Sequence, residues 1–359
     1  MRVALVALIL LGLLGGLGVE AWRIATPTES LRRGPLVVEI PAHEGVVDVA
    51  RRLARADAVR SGLGFMGMSF TRGTARSLKA GEYEIPAGAT TVDVLALLES
   101  GRVRQHTVLH PEGATVSELA RALEAERLAS AADITRLATD ATFLHSLGIE
   151  GPSLEGYLFP DTYHFVRGMR PEEILGRMVQ RLRSKLSPEV RARAQERQLS
   201  LHELLTLASI IEREAVAPDE MRLISAVFWN RLRLRMPLQA DPTVQYATGK
   251  ERRTLTRADL LADHPYNTYR RVGLPPGPIA SPGLPAIEAA VDPARVDYLY
   301  FVAVDERHHQ FSSTVKQHNA AVARYRLRRS ARATEAAALS AAPAPAAPTD
   351  PPRRSARAK

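Results

Sequence analysis

The sequence predicts an α+β protein with a single N-terminal transmembrane helix, a small α/β module and a larger mixed α/β domain. Three observations carry this prediction: an apolar N-terminal run, short β-type segments that each lead through a Pro/Gly turn into a helix, and helical patterns interrupted by proline-rich loops. The 359 residues suffice for two domains and a sizeable core. We predict an anchor at 1–23, a linker at 24–36, the module at 37–106, the larger domain at 107–328 and a disordered tail at 329–359.

The N-terminal segment determines the predicted location. Between Arg2 and Arg23 the chain reads VALVALILLGLLGGLGVEAW, which is apolar apart from Glu20 and long enough to cross a bilayer. No small-residue cleavage site follows it, and Trp22 is typical of an interfacial anchor. We therefore predict a single-pass protein of the cell (inner) membrane with its domains outside the cytoplasm. A cleaved signal peptide is the alternative.

Charge and cysteine content exclude several classes of function. The chain has no cysteine, so it can form neither disulfides nor thiolate metal sites. The net charge is +9, but the segment from Arg324 to the C terminus holds nine basic and two acidic residues, which leaves +2 for the rest. Because the excess lies in a tail of Ala/Pro/Arg composition, we predict no nucleic-acid partner.

The small module is predicted from a repeated pattern. Short β-type runs at 37–40, 83–85 and 107–109 each lead through proline and glycine into a helix start. The third copy opens the next unit rather than closing the first. Residues 37 to about 105 therefore form one small α/β unit, which could also be a mere spacer.

The larger domain combines helices with irregular loops. The pattern predicts helices at 172–185, 188–198, 220–235 and 313–327 and a buried strand at 296–304. Residues 154–163 carry four aromatic or proline residues and predict a loop or a short strand pair. Residues 237–285 are rich in proline and irregular, which is typical of site-forming loops.

One helix carries a carboxylate where the pattern demands an apolar residue. Ser200 and Glu203 form a capping-box start for a helix over 201–216. At about 100° per residue Glu212 falls inside the apolar arc, whereas Glu214 falls at its polar edge. The arc consists of Leu201, Leu204, Leu205, Leu207, Ala208, Ile211 and Ala215.

Two interpretations of Glu212 remain open at this point. A carboxylate on a core-facing stripe is costly when charged and unpaired, so it tends to hold a proton, as a general acid must. Alternatively, Glu212 pairs with a buried cation and only stabilises the fold. Arg231, on the apolar face of the helix predicted at 220–235, is the candidate counter-charge for Glu212 or for Asp241.

The remaining chemistry points to a carbohydrate site. The sequence has no HExxH, no GxSxG, no phosphate-binding glycine loop and no dinucleotide fingerprint, so we predict neither a metal nor a cofactor. Amides, hydroxyls, aromatic rings and a carboxylate cluster after the helix of Glu212. From this cluster we predict the substrate-binding residues Asn230, Gln239, Asp241, Thr243, Tyr266, Asn267 and Thr268.

The chain resembles the endolytic murein transglycosylases, the MltG or YceG-like proteins. The resemblance rests on an ordered series of segments at 154–163, 207–214, 225–232, 236–244, 266–269, 273–280 and 298–303. Trp229 departs from the tyrosine that is usual before Asn230, and Ala240 stands where a small hydroxyl residue is common.

The resemblance implies a function and a role for Glu212. The small module would be LysM-like and bind glycan, and the catalytic glutamate would be Glu212. The enzyme would cleave the bond between N-acetylmuramic acid and N-acetylglucosamine within peptidoglycan strands and leave 1,6-anhydro ends. It would end or release nascent strands beside peptidoglycan synthases. A non-catalytic wall-binding scaffold and a hydrolytic muramidase are the alternatives.

Overall fold

A computed structural model describes residues 2–250, 253–305 and 307–341. The chain divides into two compact units, Met1–Glu212 with Pro276–Ile287 and Arg213–Pro275 with Glu288–Lys359. Both helices and short antiparallel strand pairs are present, so the mixed composition predicted from the sequence is confirmed.

The first unit begins with the apolar helix α1 (Arg2–Ala25), which is long and apolar enough to cross a membrane. A short helix α2 (Glu29–Arg33) follows within the segment predicted to be a linker. Its Leu31 is fully buried in the core of the following module, and the Ser30 N–H donates to the Asp57 carboxylate at 2.9 Å. Ser30 and Leu31, which lie within the predicted linker, therefore contact the module.

The small module is a two-stranded antiparallel sheet with three helices. Strands β1 (Leu36–Ile40) and β2 (Gly81–Ile85) pair in the register Leu36 to Ile85. Helices α3 (Val46–Arg55) and α4 (Gly62–Thr71) lie between them in the chain, and α5 (Thr91–Ser100) follows. The inward-facing side chains form one core, which includes Val49, Leu53, Phe65, Tyr83, Val94 and Leu98.

The rest of the first unit is built around a second strand pair. Strand β3 (Gln105–His110) pairs antiparallel with β4 (Asp161–Val166), so part of the segment 154–163 forms a strand whose partner lies some fifty residues earlier. The helices are α6 (Val116–Ala125), α7 (Ala131–Leu137), α8 (Ala141–Ser146), α9 (Pro171–Lys185), α10 (Pro188–Glu196) and α11 (Leu201–Glu214).

The second unit contains helices and one strand pair. After a 3-10 turn at Pro218–Glu220 come α12 (Met221–Arg233), α13 (Asp241–Thr248) and α14 (Arg257–Leu260). Helix α15 (Leu284–Val291) crosses from the first unit into the second. Strands β5 (Tyr300–Ala303) and β6 (His309–Ser312) pair antiparallel, and α12 and α16 (Val315–Ala341) contact β5.

Helix α16 is longer than the predicted helix at 313–327. It reaches Ala341 and so includes residues 329–341, for which composition predicts disorder. This stretch is rich in alanine, the residue with the highest helix propensity. The rest of the predicted tail, 342–359, lies outside the described residues.

Candidate functional site

Helix α11 carries both glutamates that the sequence raises as candidates. Its predicted capping box is present: the Ser200 N–H donates to the Glu203 carboxylate at 2.9 Å, and the Glu203 N–H donates to Ser200 Oγ at 3.2 Å. This start fixes the phase of the helix, in which residues 204–211 are all buried. Glu212 belongs to the first unit and Glu214 to the second.

Glu212 is partly buried and holds a backbone amide. The Gly283 N–H donates to Glu212 Oε2 at 3.0 Å. Burial raises the pKa of Glu212 to about 7; the Gly283 hydrogen bond opposes this shift, and the nearby Glu112 carboxylate adds to it. Glu112 approaches closely because residue 283 is glycine: a Cβ there would lie 2.0 Å from Glu112 Oε1. The carboxyl groups of Glu212 and Glu112 therefore both lie next to Gly283.

The same face of α11 holds the segment Pro276–Gly283 at three points. His202 Nε2 donates to the Pro276 carbonyl at 2.8 Å, and Ser209 Oγ accepts from the Ile279 N–H at 3.0 Å. Glu212 makes the third bond, to Gly283. Because residues seven and three apart share a helix face, these side chains form one row. Glu212 thus has a bracing role in the first unit whatever else it does.

Glu214 lines a pocket of about 260 Å³ in the second unit. Desolvation by burial and, to a lesser extent, the Asp241 carboxylate raise the pKa of Glu214 to about 8, against the Arg231 guanidinium, which lowers it. Glu214 therefore holds its proton at neutral pH. The pocket is formed by Glu214, Arg231, Leu238, Gln239, Asp241, Tyr269, Phe301, Val302, Ala303, His309 and His318.

Arg231 is buried, and its positive charge lowers the pKa of Glu214. Its Nε donates to the Leu299 carbonyl at 2.7 Å, and its Nη1 donates to the Leu238 carbonyl at 2.6 Å. The guanidinium also lies 5.4 Å from the centre of the Tyr300 ring. Arg231 thereby joins α12, β5 and the loop at 237–239, and it brings positive charge to the pocket.

Two of the predicted substrate-binding residues line this pocket. Asp241 begins α13, is exposed, and accepts a hydrogen bond from the Tyr269 hydroxyl at 2.5 Å. Gln239 is exposed and has a left-handed backbone (φ 51°), an uncommon conformation for a non-glycine residue and one that clusters at functional sites. Its Oε1 accepts from Arg231 at 3.4 Å.

The other predicted substrate-binding residues are engaged within the protein. The Asn230 amide donates to the Val296 and Tyr298 carbonyls at 2.9 Å, and the Asn267 amide donates to the Leu260 and Ala262 carbonyls. Thr243 and Thr268 are buried and hydrogen-bond each other at 2.9 Å, and Thr268 Oγ1 also accepts from the Ala240 N–H. Tyr266 packs on Tyr246 and His264. These side chains position the loops around Gln239 and Asp241.

Three residues of these sites were not singled out by the sequence analysis. Glu112 lies in the Pro/Gly turn of the third repeat, and nothing in its spacing relates it to Glu212. His318 lies on α16, stacks on Tyr300 at 5.2 Å between ring centres, and has no hydrogen-bond partner on Nδ1 among the described residues. His309 donates its backbone N–H to Glu220 at 2.9 Å.

No group of three or more potential metal ligands occurs within the described part of the chain.

The sequence pattern of the YceG-like family matches residues 38–324 of this chain, which include α11 and every residue of the pocket. The chain belongs to the YceG-like family. The predicted resemblance is confirmed.

Named relatives of this YceG-like chain share about a third of its residues. An endolytic murein transglycosylase of Bacillus subtilis (strain 168) is 34% identical over 331 residues, which cover 87% of this chain and 91% of the relative. The protein of that name from Streptococcus pneumoniae serotype 2 is 32% identical, and the match spans 60% of its length. A crystal structure of a YceG-like protein from Listeria monocytogenes matches 80% of this chain and 98% of its own, with a TM-score of 0.57 and 33% identity.

Proposed function

We propose that this protein is a lytic transglycosylase that cleaves the bond between N-acetylmuramic acid and N-acetylglucosamine within peptidoglycan strands. The observation that carries the proposal is the Glu214 carboxyl, whose pKa of about 8 leaves it protonated beside Asp241 and Gln239 in an open polar pocket. The Bacillus and Streptococcus relatives are named for this reaction. The Gln239 amide and the Tyr269 hydroxyl beside a protonated carboxyl suit an uncharged sugar backbone.

One carboxyl group suffices for the proposed reaction. Protonated Glu214 gives its proton to the glycosidic oxygen as the bond from that oxygen to the muramyl C1 breaks. The muramyl C6 hydroxyl then attacks C1, and its proton returns to the Glu214 carboxylate. The new bond between C1 and O6 closes a 1,6-anhydro ring, no water is consumed, and Glu214 is again protonated. Asp241, fixed by the Tyr269 hydroxyl, keeps the resting proton on Glu214 through its negative charge.

The sequence analysis predicts Glu212 as the catalytic proton donor, and Glu212 remains the alternative to Glu214. The Glu212 pKa of about 7 would also leave that carboxyl largely protonated near neutrality. We favour Glu214 because two predicted sugar-binding residues line its pocket, whereas Glu212 is engaged with the Gly283 amide. Glutamine can replace Glu212 in that bond, because an amide oxygen also accepts from a backbone N–H.

Matched glutamine variants test the assignment. We expect Glu214→Gln to reduce the cleavage of purified peptidoglycan by about 10²–10⁴-fold, the usual contribution of a general acid, and Glu212→Gln to retain activity within about tenfold. Mass spectrometry identifies the products of the unaltered protein: anhydro ends support the proposal, reducing ends support a hydrolytic muramidase, and no release supports a non-catalytic scaffold. Full activity in Glu214→Gln with none in Glu212→Gln would return the role to Glu212.

The cellular setting is part of the same proposal. Helix α1 anchors the chain in the cell membrane, with the two units outside the cytoplasm. The module of β1 to β2 is a LysM-like glycan-binding element; its strand, helix, helix, strand order and antiparallel pairing support this. The enzyme ends or releases new strands beside peptidoglycan synthases. Failure of any synthase to co-purify after crosslinking in cells would count against that last step.

A further inference from the structure

Helix α4 presents an unpartnered apolar face. The helix reads GLGFMGMSFT and contains no charged residue. Phe65 and Ser69 face the module's core, whereas Leu63 is 76% and Phe70 63% exposed. At about 100° per residue Leu63, Gly67 and Phe70 share one arc. Large apolar side chains in one exposed arc mark a surface that another phase or molecule covers.

The apolar arc borders the end of the membrane helix. Helix α1 contacts α4, and a Cβ at Gly64 would lie 2.6 Å from Glu20 Oε1 and 2.8 Å from Ile24 Cγ1. Gly64 therefore allows α1 to pack directly against α4. Since Gly64 is next to Leu63 and about 60° around the helix from Gly67, the face of α4 that meets α1 adjoins the exposed arc.

A second contact links the start of α4 to the end of the apolar helix α1. Trp22, near the end of the apolar run, is an interfacial type of residue. The Arg60 guanidinium lies 5.2 Å from the centre of its ring, and Arg60 Nε donates to the Pro27 carbonyl at 2.8 Å. Arg60 directly precedes Ser61, the residue that caps α4. The same contacts therefore tie the helix start to the membrane exit of α1.

The charge around α4 also fits a lipid surface. Residues 58–81 contain four basic residues and no acidic one. The basic residues are Arg60, Arg72, Arg76 and Lys79, and they flank the uncharged helix on both sides, although Arg72 also pairs with Glu99 of α5 at 3.2 Å. An apolar helix face bordered by cationic side chains is the pattern of helices that lie in a membrane interface containing anionic lipid.

We propose that α4 lies in the outer leaflet interface, with Leu63 and Phe70 among the lipids, and holds the small module against the membrane. This inference rests on the proposed membrane anchor and assigns α4 a lipid contact of its own. The module is then fixed at the membrane surface from two sides, by α1 and by α4, rather than tethered through one flexible connection.

The absence of cysteine allows a clean test in the full-length chain. Leu63→Cys, Phe70→Cys and, as the matched control, Val47→Cys each carry one environment-sensitive fluorophore; Val47 is 49% exposed on α3 of the same module. Each protein is reconstituted into phosphatidylcholine/phosphatidylglycerol vesicles, with and without nitroxide-labelled acyl chains. We expect blue-shifted emission and a loss of about half or more of the signal to the nitroxide at positions 63 and 70, with little change at 47.

The outcomes separate this inference from the anchor on which it rests. Vesicle flotation comes first, and a chain that does not float contradicts the anchor itself. If the chain floats but probes at 63 and 70 remain as water-exposed as at 47, α4 does not enter the lipid. Shielding from aqueous iodide without nitroxide quenching would show that a protein surface, such as a second copy, covers the face, and would also overturn the proposal.

Discussion

At the residue scale, the two glutamates of α11 differ in the neighbour that raises their pKa. Burial is the main cause of the raised pKa of both groups; the Asp241 carboxylate adds to the shift of Glu214, and the Glu112 carboxylate adds to that of Glu212. A proton donor works only while protonated, so activity falls as the pH rises through its pKa. With Glu214 as donor the fall comes near pH 8.

Removing each neighbour in turn therefore identifies the donor. Asp241→Asn deletes the negative charge beside Glu214, which lowers its pKa and moves the alkaline loss of activity to lower pH. Glu112→Gln makes the same change beside Glu212 and should leave the profile unchanged. The measurement is the pH dependence of kcat for both variants. A profile that moves with Glu112→Gln and not with Asp241→Asn would identify Glu212 as the donor instead.

The same pair of residues shows how far sequence can locate a site. Helical phase predicts one buried stripe on α11 with Glu214 at its polar edge, whereas the structure buries every residue from 204 to 211, and Leu201 of the predicted arc is exposed. What changes the surroundings of Glu214 is the loop at 237–241 together with Tyr269, and helical phase cannot foresee contacts with such distant segments. Gln239 and Asp241, which were predicted from the clustering of polar residue types in a loop, line the pocket with Glu214, and their contact with substrate stays a prediction.

At the element scale, the position of the segment Pro276–Gly283 depends on close packing against Gly156, a glycine of another loop. Gly156 has a left-handed backbone (φ +80°), and a Cβ there would lie 2.3 Å from the Pro278 Cβ. Gly168 has nearly the same backbone (φ +84°) with nothing within 4 Å of its Cβ position. The two glycines therefore share the conformational strain of a substitution and differ only in packing.

We expect Gly156→Ala to lower the free energy of unfolding by about 1–3 kcal/mol more than Gly168→Ala, the usual cost of overpacking a rigid contact. Urea denaturation of both variants gives the difference. Since the same segment supplies the Gly283 amide, Gly156→Ala should also disturb the Glu212 contact. Equal losses in the two variants would mean that Pro278 moves aside at little cost.

The positions of helices and strands were predicted better than the contacts between them. Strands β1 and β2 and helices α9 and α10 lie within about two residues of their predicted positions, because alternation and capping residues are local signals. The pairing of β3 with β4 was not predicted, because the register joins residues some fifty positions apart. Polar residues and prolines at 24–36 predicted a linker, whereas Leu31 in that segment is buried in the core of the small module.

At the scale of the whole molecule, the predicted boundary between anchor and module matters for how the protein can be divided. Leu31 is fully buried among module residues, and its carbonyl accepts from the Gly88 N–H at 2.8 Å. Thr28 Oγ1 donates to the Asp57 carbonyl at 2.5 Å. The module therefore begins before the first strand, within a few residues of the end of the apolar helix α1.

Two truncations test this boundary. A chain starting at Thr26 keeps the contacts of Thr28 and Leu31, whereas a chain starting at Leu36 loses them; both lack α1, so its loss cancels in the comparison. We expect the shorter chain to lose about 2–5 kcal/mol of module stability, the cost of deleting a buried leucine side chain, and Leu31→Ala in the longer chain to reproduce most of this loss. Hydrogen exchange of the β1 and β2 amides reads out the module alone. Equal protection in both truncations would mean that residues 26–35 serve only as a connection, and helix α1 could then be joined to the module through any flexible segment.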